Sequence, residues 1–198
     1  MPINHIIELD RRAVRASVAV VSRVSRDDLD RATPCSEWTL GELLAHMTAQ
    51  HRGFAAAARG AGEDLAIWEV SPLGADPSAA YAEAADDLLA AFAEEGVLER
   101  KFALPELAAG FAFPAAQAIG FHFIDYFVHA WDVATSIAVP FEEPDADTLE
   151  AARIIAYEVP GGSHRLRPGA AFGPVIGTPA GTSGMDEILL QLGRTPHP

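Results

Sequence analysis

The sequence predicts an all-α protein: a bundle of four main helices, followed by a fifth helix, a Gly/Pro-rich loop and a short final helix. Three observations carry this. Apolar residues recur at three- and four-residue spacing through most of the first 140 positions. Capping and breaking residues cut that pattern into helix-sized lengths. No two neighbouring runs alternate with the two-residue period of a strand pair. A chain of 198 residues, 49% of them apolar, can bury one sizeable core. Residues 1–140 are therefore read as the four-helix bundle and 141–198 as additions packed on it, one domain overall.

The first helix is expected over residues 4–24. Ile6, Leu9, Val14, Val18 and Val21 form its stripe, and Arg11, Arg12, Arg15 and Arg23 mostly face outward. Pro34 holds Thr33 extended, so Thr33 to Trp38 leads into the second helix rather than belonging to it. That helix is expected from Thr39 to about Arg59. Thr39 and Glu42 have the spacing of a capping box, in which side chains satisfy the free amides of the first turn. Residues 60–76 form a loop with Trp68 as its anchor. Asp76 caps the third helix and Pro77 takes its first position, with the end near Glu95. Residues 97–110 are a connector. The fourth helix lies in the most apolar run, Phe111 to Val139, and stops at Pro140. Asp145 or Asp147 caps a fifth helix that reaches Glu158. Residues 160–182 are Gly/Pro-rich loop, and Ser183 caps a short helix ending at Leu192.

Composition narrows the function. The formal net charge is −14, and no Lys/Arg cluster is long enough to track phosphates, so nucleic acid is not an expected partner. The single cysteine, Cys35, forms no internal disulfide and fits a reducing cytosol. The first residues lack the charged and apolar regions of a signal peptide, so a cytoplasmic protein is expected. Gln117, His122, Asp125, His129 and Asp132 interrupt the Phe111–Val139 run, which therefore reads as a buried helix and not a membrane span. A small molecule is the expected partner, with a homodimer as the other candidate association.

The polar residues inside the apolar helices are the candidate site. Asp125 and His129 are four apart, which sets them on one face of a helix, one turn from each other. His46 stands beside the apolar face of the second helix, formed by Leu40, Leu43, Leu44 and Met47. Such groups are costly to bury unless something binds them. We read His46, Asp125 and His129 as three ligands of a divalent metal with one coordination position open, the catalytic pattern. The alternative is a buried Asp–His hydrogen bond that stitches two helices. His122, two turns before His129, is either a fourth ligand or a pocket or carbonyl contact, the second being favoured. His51 is assigned to the surface, and Asp132 to a structural bond in preference to orienting a ligand histidine. Trp38 and Trp131 read as core. Cys35 reads as a quiet structural thiol, because no base stands beside it in the sequence. Arg52, Arg165 and Arg167 are the candidates for holding a cofactor or a carboxylate, with solvated surface charge as their alternative.

Two stretches resemble a known family. Thr33-Pro34-Cys35-Ser36-Glu37-Trp38, continuing through Leu43-Leu44-Ala45-His46, resembles its Thr-Pro-Cys-x-x-Trp…Leu-Leu-x-His signature. Asp125-Tyr126-Phe127-Val128-His129-Ala130-Trp131-Asp132-Val133-Ala134 resembles its acidic-x-x-x-His-x-Trp-Asp-x-Ala signature. Phe172-Gly173-Pro174-Val175 and Leu192-Gly193-Arg194 are similar to the tail of an actinobacterial subgroup. The family is the DinB-like, mycothiol-dependent maleylpyruvate isomerase-like group. The resemblance implies a DinB-like four-helix bundle holding a divalent metal, often zinc or nickel, by three side chains at its open end. By that match His46, Asp125 and His129 are the ligands, although the isomerase itself has glutamate where this chain has Asp125. It also brings mycothiol as the implied thiol cofactor. The function expected first is a metal-dependent isomerase or S-transferase acting on a small electrophile with such a thiol. The alternatives are a hydrolase using metal-bound water and a metal-binding stress or regulatory module without turnover.

Overall fold

The structure, a computed structural model, describes residues 5–35, 38–166 and 170–196. Contacts divide the chain into two compact units, and the division falls between Val139 and Pro140. In the first unit the long helices are α1 (His5–Val21), α2 (Leu40–Ala58), α4 (Pro77–Phe92) and α5 (Ala115–Ser136). Helix α1 packs along α5, α2 packs along α4, and α1 also touches α4. The expected four-helix bundle is present. Helix α5 is apolar on nearly every side, the composition of a helix surrounded by protein. Ile119, Phe123, Tyr126, Ala130 and Val133 on it are fully buried. The core closes on Leu9 and Val14 of α1, Leu43 and Met47 of α2, and Tyr81 and Leu88 of α4. Among the described residues no helix is long and apolar enough to cross a membrane.

The caps stand largely where their chemistry placed them. Thr39 accepts from the Glu42 amide while Glu42 accepts from the Thr39 backbone, the two halves of the capping box. Asp76 accepts from the Ala79 amide, with Pro77 first in α4. Asp145, not Asp147, caps α6 (Ala146–Glu158) through the Thr148 amide.

Several expectations need correction. The connector holds a strand pair, β1 (Lys101–Ala103) against β2 (Ala112–Pro114), antiparallel with Phe102 opposite Phe113. Three-residue strands are too short to show a two-residue period, and Phe102 earns its place by full burial against Phe92. Helix α5 consequently begins at Ala115 rather than Phe111. The loop after α2 contains a single helical turn, α3 (Leu65–Trp68), capped by Asp64. Trp68 does anchor it: its indole N–H donates to the Gly62 carbonyl at 2.9 Å, and its ring packs on Gly53.

The second unit contains α6, a 3-10 stretch at Gly162–Leu166 inside the supposed loop, and α7 (Met185–Gln191). Gly184, not Ser183, precedes α7, and no side chain caps it. Arg165 is buried and donates to the carbonyls of Val159, Pro160, Gly173 and Gln191, binding the loop to both helices of its unit. These bonds, rather than any α-helix, order the Gly/Pro-rich segment.

Candidate functional site

Helix α2 supplies His46, and α5 supplies Asp125 and His129. One ligand atom from each lies within 4.8 Å of the other two. His129 Nε2 is 3.3 Å from Asp125 Oδ1. The four-residue spacing on α5 makes that pair, and the 82 residues between His46 and His129 are bridged by the bundle itself.

Electrostatics prepare the three groups differently. Burial lowers the His46 pKa to about 4, and the opposing pull of Asp125 does not restore it, so this imidazole is neutral at pH 7. Burial alone would raise the Asp125 carboxyl, but His129 and His46 outweigh it and bring it down to about 2. Burial also disfavours a charged His129. The carboxylates of Asp125 and Asp132 and the thiol of Cys35 reverse that and hold its pKa well above the usual value. A dication between His129 Nε2 and Asp125 would take the place of that proton. A neutral imidazole, an ionised carboxylate and a second imidazole freed of its proton form the donor set of a zinc-type site.

The other nitrogen of His129 explains two residues that the sequence did not resolve. Nδ1 lies 2.9 Å from Asp132 Oδ2, three residues along the same helix. Asp132 is fully buried and is placed to orient the histidine, the role weighed beside the structural bond expected for it. Cys35 is not isolated either. Its thiol donates to the same Asp132 oxygen at 3.2 Å and lies 3.8 Å from His129 Nδ1. The lead-in to α2 carries Cys35 across to α5, where the groups that neighbour it are more than 90 residues away in sequence.

His122 and His51 form a separate buried cluster. His122 Nδ1 shares a hydrogen bond with Asp10 Oδ1 at 2.6 Å, and His51 Nδ1 lies 3.2 Å from His122 Nε2. Tyr126 stacks on both rings at 4.0–4.1 Å. His51 is therefore core and not surface, and His122 meets the side chains of Asp10 and His51 rather than a carbonyl. Asp10 was missed although its signal is visible. It lies four residues from both Ile6 and Val14, on the buried stripe of α1.

The His46–Asp125–His129 group reaches an open cavity of about 550 Å³ through His46. His46 lines it together with Trp38, Leu29, Val70, Pro72 and Leu73. Trp38 is half-buried, its ring 4.5 Å from that of His46, so it walls the site instead of filling the core. Asp125 keeps 21% of its side chain exposed, which leaves one side of the group approachable. Arg52 is exposed on α2 and is not among the residues lining the cavity. The guanidinium of Arg165 is engaged with four backbone carbonyls, a structural use in place of the expected cofactor contact. Arg167 lies outside the described residues.

Comparisons agree with this architecture. The chain is 31% identical over 193 residues to an uncharacterised protein of Mycobacterium tuberculosis found in two strains, covering 93% of this chain and 95% of that one. A crystal structure of the mycothiol-dependent maleylpyruvate isomerase superposes with a TM-score of 0.52 at 14% identity, covering 67% of this chain and 61% of that chain. A histidine-to-alanine variant of that isomerase superposes with a TM-score of 0.59, also at 14% identity, covering 81% and 70%. The shared fold is the DinB-like bundle of that isomerase. Residues 11–134 match the pattern of the mycothiol maleylpyruvate isomerase N-terminal domain, and the chain belongs to that family.

Proposed function

We propose that this protein is a metal-dependent enzyme that uses a low-molecular-weight thiol, mycothiol by its family, to convert a small electrophile by isomerisation or S-transfer. The observation that carries the reading is the convergence of His46, Asp125 and His129, with His46 on the wall of an open cavity. These residues would hold a divalent ion, zinc or nickel by the chemistry of the donors. Such an ion lowers the pKa of a thiol or water bound to it and so supplies a nucleophile at neutral pH.

The chain's own residues do the rest. Asp132 keeps the proton of His129 on Nδ1, which turns the Nε2 lone pair toward Asp125. Burial keeps His46 unprotonated and able to donate its lone pair. Trp38, Val70 and Leu73 give the cavity beside His46 apolar walls, and apolar surroundings strengthen a charge interaction next to them.

The test is metal analysis of protein purified without chelator, followed by titration of the cobalt-loaded protein with mycothiol. About one ion per chain and a thiolate-to-cobalt absorption band are expected. Turnover of electrophiles should vanish with chelator and with Asp125→Ala. Metal without a thiol band transfers the reading to hydrolysis by metal-bound water. Absence of bound metal reduces the group to a buried Asp–His contact.

A further inference from the structure

His129 has a carboxylate at each of its ring nitrogens. Asp125 Oδ1 lies 3.3 Å from Nε2, and Asp132 Oδ2 lies 2.9 Å from Nδ1. The position proposed above uses the Nε2 side. On the Nδ1 side stands a second convergent group, in which Cys35, His129 and Asp132 each offer one ligand atom within 4.8 Å of the other two. Cys35 Sγ is 3.2 Å from Asp132 Oδ2 and 3.8 Å from His129 Nδ1. A tetrahedral ion with bonds of about 2.0–2.3 Å spaces its sulfur, nitrogen and oxygen donors by roughly 3.3–3.6 Å. The separations of 2.9, 3.2 and 3.8 Å fall on both sides of that range, so small adjustments would seat an ion. Asp132 and His129 are buried on α5. Cys35 is half-buried in the lead-in to α2, where its carbonyl accepts from the Thr33 hydroxyl and the Trp38 amide, both at 2.8 Å. That turn holds the thiol toward α5 without enclosing it, so an ion can reach it from solvent.

The geometry points to a second metal position, formed by Cys35, His129 Nδ1 and Asp132, that takes a soft, thiophilic cation such as cadmium or copper(I). Its thiolate sets it apart from the first position, whose two imidazoles and one carboxylate suit nickel or zinc. The two sides of the ring are reciprocal. With an ion on Nε2, Asp132 accepts the Nδ1 proton; with an ion on Nδ1, Asp125 accepts the Nε2 proton. Each carboxylate is a ligand for one position and the orienting partner for the other. Binding on the Nδ1 side displaces the thiol proton and the Nδ1 proton to water, and the ring keeps the proton on Nε2. This position shares His129 with the proposed catalytic one but requires neither a thiol cofactor nor turnover.

The experiment titrates cadmium into the metal-free, full-length protein and records the ultraviolet thiolate-to-cadmium absorption. Cys35 is the single cysteine of the sequence, so such a band reports on it alone. The band should saturate at about one ion per chain, and cadmium should slow alkylation of Cys35 by iodoacetamide about tenfold or more, since a metal-bound thiolate is a poorer nucleophile than a free one. Cys35→Ser should lose the band and still bind nickel. His46→Ala should keep the band and lose nickel, with its helical content checked by circular dichroism. No band at saturating cadmium would overturn the inference, and so would a band that disappears in folded His46→Ala, which would put the thiolate on the first ion. Nickel binding without a cadmium band removes this second position and leaves the catalytic reading standing. A cadmium band without nickel binding does the opposite.

Discussion

Asp132 shows how much of the site rests on a single oxygen. Its Oδ2 accepts both from His129 Nδ1 and from the Cys35 thiol. An amide at this position cannot accept as strongly and presents a donor on its other arm. Asp132→Asn should therefore keep the helical content of the protein and lower its metal affinity by about 10–100-fold, the usual effect of losing the partner that orients a ligand histidine. Competition with a chromophoric chelator measures it; affinity within a factor of two of wild type would remove Asp132 from this role. Cys35→Ser retains a donor to the same oxygen and should change affinity far less. Helix periodicity made Asp125 and His129 legible as a pair, and their apolar surroundings made His46 legible as a third partner. His51 was misread, Asp10 was missed and the neighbours of Cys35 were not foreseen, because what they touch is decided by which helices become neighbours, and local spacing carries no information about that.

At the scale of elements, boundaries followed side-chain chemistry wherever a side chain supplied the cap. Thr39, Asp76 and Asp145 are the instances. The hairpin β1–β2 and the turn α3 lay outside such reasoning, since Phe102 and Trp68 are held by burial rather than by local propensity. The junction of α2 with α3 gives a sharp test. A Cβ on Gly53 would sit 2.2 Å from the Trp68 ring, a distance no relaxed contact allows. Gly53→Ala should displace the indole from its Gly62 bond and cost about 1–3 kcal/mol, as overpacking does. Thermal unfolding together with a red shift in tryptophan emission checks this, and unchanged stability would refute it. The α2 cap makes a prediction in pH. Glu42 is bonded to Thr39, which lowers its folded pKa below the ordinary glutamate value. The cap's contribution is therefore full above that unfolded value and is lost as pH falls through the lower folded one. Glu42→Gln should remove this acid-dependent part. The readout is amide exchange in the first turn of α2 along a descending pH series, with wild type and variant converging at the acid end.

For the whole molecule, the candidate metal group is a tie between distant segments. His46 belongs to α2 and pairs across the bundle with Asp125 and His129 of α5, two helices that otherwise touch much less than α1 touches α5 or α2 touches α4. A ligand that binds the native arrangement and not the unfolded chain stabilises the fold by mass action. At a hundredfold excess over its dissociation constant the gain is about 2.7 kcal/mol. For a chain of this size that corresponds to a midpoint roughly 5–10 °C higher. Chelation should remove that increment from the wild-type protein, and restored zinc should return it. In His129→Ala the chelated and zinc-supplemented samples should melt together, because the remaining His46 and Asp125 leave the ion too few protein ligands to hold. A further feature makes the outcome specific. The Asp10–His122–His51 cluster is fully buried in the same bundle and contains two histidines, yet those groups do not converge as a ligand set. His122→Ala should consequently lower the midpoint of both samples while preserving the zinc-dependent difference between them. A zinc increment that survives in His129→Ala, or disappears in His122→Ala, would place the ion in the buried cluster and not between α2 and the Asp125–His129 turn of α5.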